Sequence, residues 1–363
     1  MQMMHSTLLV GPADWDPVRL PREEFAARLH ALWQADPLAD GAVVYGDSRH
    51  HAELAYLTHF TPKLEAGLGL IARTGEARLL VGGGVNMLPA AKPLTWLDDI
   101  LVLRDGAASM AEWVRDQALR SLLVIGGGAM PQDLHGAIMR LPGVTCVDAT
   151  ALLRGLMRRK TARELTLART ACTTLAAAAA ALAEAQRAGA GVTAAILAAE
   201  QAAWGQGAQD VRTLFSLDHG RTFRPFGVPI DAPANPLAAY LAVRRHGYWA
   251  EGFVTRAREA DPALRRARAG LQAGLSAARA GVTRRAVADA IAHAAGAPHP
   301  IARPSVASIG LGLDDCGDAA DVLDAGEVLS LRAGVLDQGG AAVASAVIAV
   351  HDHGNEVLWQ QGA

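Results

Sequence analysis

The chain has 363 residues, 51% of them hydrophobic and 19% charged, with 34 Lys and Arg against 36 Asp and Glu and a formal net charge of −2. A single core stops growing at roughly 250–300 residues, so this length predicts two domains with a sizeable buried interior. The near balance of charge gives no electrostatic pull toward nucleic acid or an anionic membrane surface and argues against polyanionic partners.

The opening stretch MQMMHSTLLVGPADWDP has no basic region followed by a long apolar run, so no targeting segment is expected there. Residues 22–34, REEFAARLHALWQ, space their apolar side chains at helical intervals, whereas GAVVYGD (41–47) and AGLGLIAR (66–73) read as short strands. ARLLVGGG, DDILVLRDG, SLLVIGGGAMP and GVTCVDA continue the strand series, with helices such as MAEWVRDQAL between them. This alternation ends near residue 150 and predicts an α/β domain over residues 1–150. VGGGV (81–85) and IGGGAMP (125–131) follow strands but lack the G-x-G-x-x-G spacing and acidic partner of a dinucleotide site, and are read as turns.

From Ala151 the texture changes to a long helical stretch, 151–188, followed by a second helical segment and then strand-rich sequence from Val211 to Arg256. The alanine run at 176–181 shares its helix with Arg163, Glu164, Arg169, Glu184 and Arg187, and no window reaches the about 18 uninterrupted apolar residues of a spanning helix. The three cysteines, Cys146, Cys172 and Cys316, are widely spaced and form no CxxC pattern. That usage fits a reducing compartment, and a cytoplasmic location is expected. The order helix, turn, helix, strands then starts again, and Ala-Gly-Val-Thr recurs at 190–193 and 280–283. Each copy ends one helix and is expected to place Thr193 or Thr283 as the cap of the next. An internal duplication of about 90 residues is expected, giving two α+β halves about a pseudo-twofold axis with a site between them.

At this point the chain resembles the pita-bread family of creatinase, prolidase, aminopeptidase P and methionine aminopeptidase, over nearly its whole length. LADGAVVYGDSRHHAELAYLTHF is similar to the creatinase and prolidase N-terminal domain. RRKTARELTLARTA resembles the family's domain junction, through Lys160, Glu164 and Ala171. HGYWAEGFVTRA, IGLGLDD and LDAGEVLSLRAGV resemble GYxxDxTRT, HGIGLxxHE and LxPGMVxSLEPG, in the family's order. The resemblance implies a creatinase-like α/β N-terminal domain over 1–150, a pita-bread α+β domain over 151–363, and a homodimer.

Metal-dependent members hold two divalent ions with two Asp, one His and two Glu, which together activate a bridging water. Carried over position by position, the first Asp falls at about Tyr240, the second on Glu251, the His on Ile309, the first Glu on Arg332 and the second Glu at about Ser345. Isoleucine has no donor atom and arginine repels a dication, so no metal and no other cofactor is expected. Creatinase implies that the fold can hydrolyse a small guanidino compound with side chains alone.

That resemblance makes Glu251, His219 and His299 the catalytic candidates, with Arg332, Arg221, Arg224, Tyr240 and Phe226 as substrate contacts. A histidine suits proton transfer near neutral pH, and arginines suit a substrate carboxylate. Each has a plainer reading: Glu251 and Arg332 as a structural pair, His219 as a turn residue in DHG, and Tyr240 as an ordinary strand aromatic. Arg49, His50 and His51 read as a solvated loop, and VHDHGNEV as a hairpin carrying His351 and His353. The expected function is metal-independent hydrolysis of a C–N bond in a small nitrogen-containing, carboxylated metabolite. The alternative is a catalytically inactive pita-bread protein that binds a ligand or protein. A metallopeptidase with relocated ligands, and a lyase or decarboxylase on the same scaffold, remain as lesser alternatives.

Overall fold

A computed structural model describes residues 14–218, 220–225, 227–233, 237–256, 261–296, 305–313, 321–337 and 340–361. The chain divides into two compact units, Met1–Met157 and Arg158–Ala363.

The first unit is built on a six-stranded mixed sheet in the order β4-β3-β2-β1-β5-β6. Its strands are β1 (Gly41–Gly46), β2 (Gly67–Ala72), β3 (Ala77–Val81), β4 (Asp99–Val102), β5 (Ser121–Ile125) and β6 (Thr145–Asp148). β1 and β2 are buried at every position, as expected of central strands covered on both faces, whereas β6 at the edge is exposed at all but Cys146, which is half-buried. β1 runs antiparallel to β2 and parallel to β5, and β5 is parallel to β6. The helices are α1 (Arg22–Ala35), α2 (Ala52–Thr58), the single turn α3 (Leu88–Ala91), α4 (Gly106–Asp116), α5 (Gln132–Met139) and α6 (Thr150–Arg158). Val43, Leu68, Leu80, Trp113 and Val124 pack into one core, each burial favouring folding by about 1.5–3 kcal/mol before entropy is counted.

The second unit repeats two helices followed by strands. α7 (Ala162–Arg187) and α8 (Val192–Gly205) precede β7 (Asp210–Ser216), β8 (Leu237–Arg245) and β9 (Tyr248–Arg256). α9 (Pro262–Ala277) and α10 (Arg284–Ala295) precede β10 (Val306–Ser308), β11 (Val328–Asp337), β12 (Gly340–His351) and β13 (Gly354–Gln360). The strands form two antiparallel sheets, β7-β8-β9 and β10-β11-β12-β13. His246 and Gly247 both take positive φ, 50° and 84°, in the two-residue turn between β8 and β9, the turn class that matches strand twist. His351 and Gly354 pair across the β12–β13 hairpin, as the sequence predicts.

Side chains substitute for a backbone ladder between β9 and β12. Ser345 Oγ accepts from Phe253 N at 2.6 Å, and Thr255 Oγ1 accepts from Val343 N at 3.0 Å and donates to Val343 O at 2.8 Å. Gly252 lets Trp359 lie against the strand, since a Cβ there would stand 2.3 Å from the indole.

Two local expectations need correction. Residues 151–188 are not one helix: the chain breaks after Arg158, because Arg159 forms a bridge with Glu327 and Thr161 is extended at ψ 168°. Thr161 then opens α7 through a capping box with Glu164. In the repeated tetrapeptide Thr283 caps α10 by accepting from Ala286 N, but Thr193 does not cap α8. Gly191 takes that position, close against Asp231 O, and the Thr193 hydroxyl instead accepts from Ile230 N at 2.7 Å.

Candidate functional site

β8 and β9 pair Tyr240 with Phe253 and Ala242 with Glu251, which makes Tyr240 and Glu251 diagonal neighbours on one sheet face. The Tyr240 hydroxyl donates to Glu251 Oε2 at 2.5 Å. Arg332 enters from β11, opposite Ser345 on β12, and its Nη2 donates to Glu251 Oε1. Glu251 and Arg332 are both 0% exposed. A charge so removed from water must be paired, and each is the other's counter-ion. Burial pushes the Arg332 guanidinium down to about 10, with Tyr240 pulling the other way, so the group is a cation at neutral pH.

The surrounding wall is apolar. Ile309 is fully buried in the same cluster as Tyr240, Phe253, Val343 and Val347. The Tyr240 and Phe253 rings lie 5.0 Å apart and Phe223 meets Phe253 edge-on at 5.2 Å. Strand alternation explains the composition: Val328 on β11 and Val343 and Val347 on β12 face this cluster, and their alternate neighbours Leu329, Leu331, Ala344 and Ala346 face the helices α9 and α10.

The five positions that the resemblance assigns to metal ligands thus hold a phenol, one carboxylate, an alkyl group, a guanidinium and a hydroxyl. The carboxylate already receives Arg332 and Tyr240, and Ser345 Oγ is engaged with both Phe253 N and Phe253 O. This donor set does not fit two divalent cations, which need several anionic or imidazole ligands. Among the described residues no group of three or more His, Cys, Asp or Glu is gathered elsewhere.

Of the sequence-derived candidates, the structure brings together Glu251, Arg332 and Tyr240. Arg221 and Arg224 are exposed on the loop after β7, and Arg224 lies over the Phe215 ring at 5.4 Å. His219, Phe226 and His299 lie outside the described residues. His51, read as part of a solvated loop, is buried, while His50 is exposed beside Asp47.

Sequence reasoning missed Asp218, which organises the loop carrying Arg221. Its carboxylate accepts from the Ser216 and Thr222 hydroxyls, each at 2.5 Å, and from Thr222 N at 3.0 Å. The serine and threonine flanking Ser-Leu-Asp-His-Gly-Arg-Thr were the available signal. It also missed the pairing of Glu53 with Arg154 in the first unit, signalled only by a carboxylate within the apolar stretch AELAYLT.

No protein-family model and no curated protein matches the chain. Solved structures do match. An Xaa-Pro dipeptidase from Bacillus anthracis superposes with a TM-score of 0.73 at 18% identity, covering 92% of this chain and 97% of that one. An X-Pro aminopeptidase from Thermotoga maritima gives 0.75 at 14% identity, with 92% and 97% covered. The dipeptidase PepE from Mycobacterium ulcerans gives 0.73 at 18% identity, with 95% and 97% covered. The chain therefore has the two-part pita-bread fold of these proteins.

Proposed function

We propose that this chain uses the prolidase-like hydrolase scaffold without its metal centre, and cleaves a C–N bond in a small nitrogen-containing, carboxylated metabolite. The observation that supports this reading is the buried Arg332, held by Glu251 at the place where the resemblance puts two divalent ions. A fixed guanidinium supplies positive charge for a substrate carboxylate or a developing oxyanion, a role open to a cation or to oriented N–H donors. Glu251 and Tyr240 orient it. A histidine, for which His219 and His299 are the candidates, takes a proton from water as its oxygen adds to the carbon, and returns that proton to the leaving nitrogen as the C–N bond breaks. Arg221 and Arg224 extend the supply of carboxylate-binding groups. A homodimer in the cytoplasm completes this reading.

A second reading, a non-catalytic pita-bread protein that binds a ligand or partner, is favoured by one observation: both oxygens of Glu251 are already engaged and neither it nor Arg332 reaches solvent. One experiment separates the two. Protein purified without added metal is assayed for elemental metal, then for amine or ammonia release from guanidino, amidino and N-acyl amino acids, with and without chelator. Turnover unaffected by chelator, with metal well below one equivalent, supports the metal-free enzyme. Stabilisation by one of these compounds in a parallel thermal-shift screen, without turnover, supports the binding protein. Two equivalents of metal and loss of activity on chelation defeat both.

A further inference from the structure

We propose that the first unit carries a second ligand site, a pocket for a small zwitterion such as a free α-amino acid, at the carboxyl ends of β1, β5 and β6. β1 lies between antiparallel β2 and parallel β5, so the chain leaves β1 toward one side of the sheet and returns on the other. In open α/β sheets the crevice for a ligand lies outside the carboxyl ends of strands at such a divergence. A cavity of ≈ 260 Å³ occupies this place, lined by residues that include Glu53, Arg154, Asp148 and Gly128. That volume is just below the roughly 300–1,000 Å³ of small-molecule sites, which points to a small ligand.

The lining holds one arginine, Arg154, two carboxylates, Glu53 and Asp148, and the imidazole of His50, and of the carboxylates Glu53 is already paired with the arginine. Glu53, 4% exposed, accepts from Arg154 Nε at 2.5 Å, and this buried carboxylate sets the orientation of a guanidinium that is itself half exposed at the cavity. Asp148 is exposed, and its Oδ1 accepts from Thr150 N at 2.9 Å, while the Thr150 hydroxyl accepts from Gly126 N at 2.9 Å. The carboxylate is thus fastened to the turn that closes β5. Arg154 suits a ligand carboxylate and Asp148 a ligand ammonium.

The glycines of this turn differ in what the fold asks of them. Gly126 has φ 78°, and a Cβ there would stand 2.6 Å from Tyr45 O, so the backbone requires it. Gly128 faces the cavity, and a Cβ added to it would meet nothing within 4 Å. Packing does not require that glycine; its missing side chain keeps the pocket open.

The full chain is titrated with L-leucine, L-leucinamide and 4-methylpentanoate by calorimetry, with thermal shift as a second readout. L-Leucine is expected to bind at least about tenfold more tightly than either probe that lacks one charge. Gly128→Val, which fills the pocket, and Asp148→Asn, which keeps the acceptor for Thr150 N but removes the charge, are expected to abolish binding with the melting temperature of the ligand-free protein unchanged. Equal binding of the three probes, no binding at millimolar concentration, or full binding by Gly128→Val overturns the proposal. None of these results bears on turnover in the second unit.

Discussion

Arg332 and Glu251, 81 residues apart in the chain and carried by different sheets, meet as an ion pair with neither side chain exposed. Removing one member of such a pair strands the other in the interior, at a cost of about 3–5 kcal/mol. Glu251→Gln and Arg332→Met are therefore each expected to lower unfolding free energy by that amount in urea titrations. The double variant Arg332→Met with Glu251→Leu should lose much less, because no charge is left buried. Single variants as stable as the parent would show that water reaches the pair.

Tyr240→Phe removes one hydrogen bond to a charged acceptor and leaves the ring contact with Phe253 in place. A loss of about 1.5–3 kcal/mol is expected from the same titrations. No loss would mean that Glu251 does not depend on the phenol.

Gly252→Ala places a methyl against the Trp359 indole in a filled core. Overpacking of this kind costs about 1–3 kcal/mol. Adding Trp359→Leu should recover part of the loss, so that the two changes are non-additive in a double-mutant cycle. Strict additivity would show that the glycine and the indole are not in contact.

Asp218 governs an acid limb. Partial burial alone would raise its carboxyl, but hydrogen bonds from Ser216 and Thr222 outweigh that effect and hold it below the usual range. A depressed carboxyl contributes its stability above the unfolded value of about 3.9, and loses it as pH falls through the lower folded value. Asp218→Asn should therefore flatten the dependence of melting temperature on pH below about 4, and leave its shape at neutral pH unchanged. An identical acid limb in the variant would remove Asp218 as its source.

Burial should also rank the ion pairs of the second unit. Glu327 is fully buried, with Arg158 Nη2 at 2.8 Å and Arg284 Nη2 in contact. Glu356 is partly exposed, its side chain 39% accessible, beside Arg169, with a carboxyl held below its ordinary range chiefly by that arginine. Glu327→Ala is expected to cost about 3–5 kcal/mol, and Glu356→Ala about 0–1 kcal/mol, less at high salt. Equal losses would contradict the ranking.

The order of helices and strands, the change of texture near residue 150 and the repeated helix-helix-strand pattern were legible in the chain, because apolar periodicity and turn chemistry act over a few residues. Local signals also have local rivals. The bridge from Arg159 to Glu327 ends one helix and the capping box at Thr161 opens the next within a stretch that reads as continuously helical, and Gly191 rather than Thr193 caps its helix while the Thr193 hydroxyl accepts from Ile230 N.

The residue types at the candidate positions are also read directly from the chain: an isoleucine and an arginine, Ile309 and Arg332, stand where the resemblance would put metal ligands. Only the tertiary structure decided what those residues do to one another. Whether Glu251 reaches a substrate or an arginine depends on β11 lying beside the β8–β9 hairpin. Whether Glu53 is a surface acid or the anchor of Arg154 depends on α6 packing near α2, 101 residues away in the chain. A sequence carries the charge of each side chain, but the burial that makes a charge costly, and the partner that offsets the cost, exist only once distant strands and helices have come together.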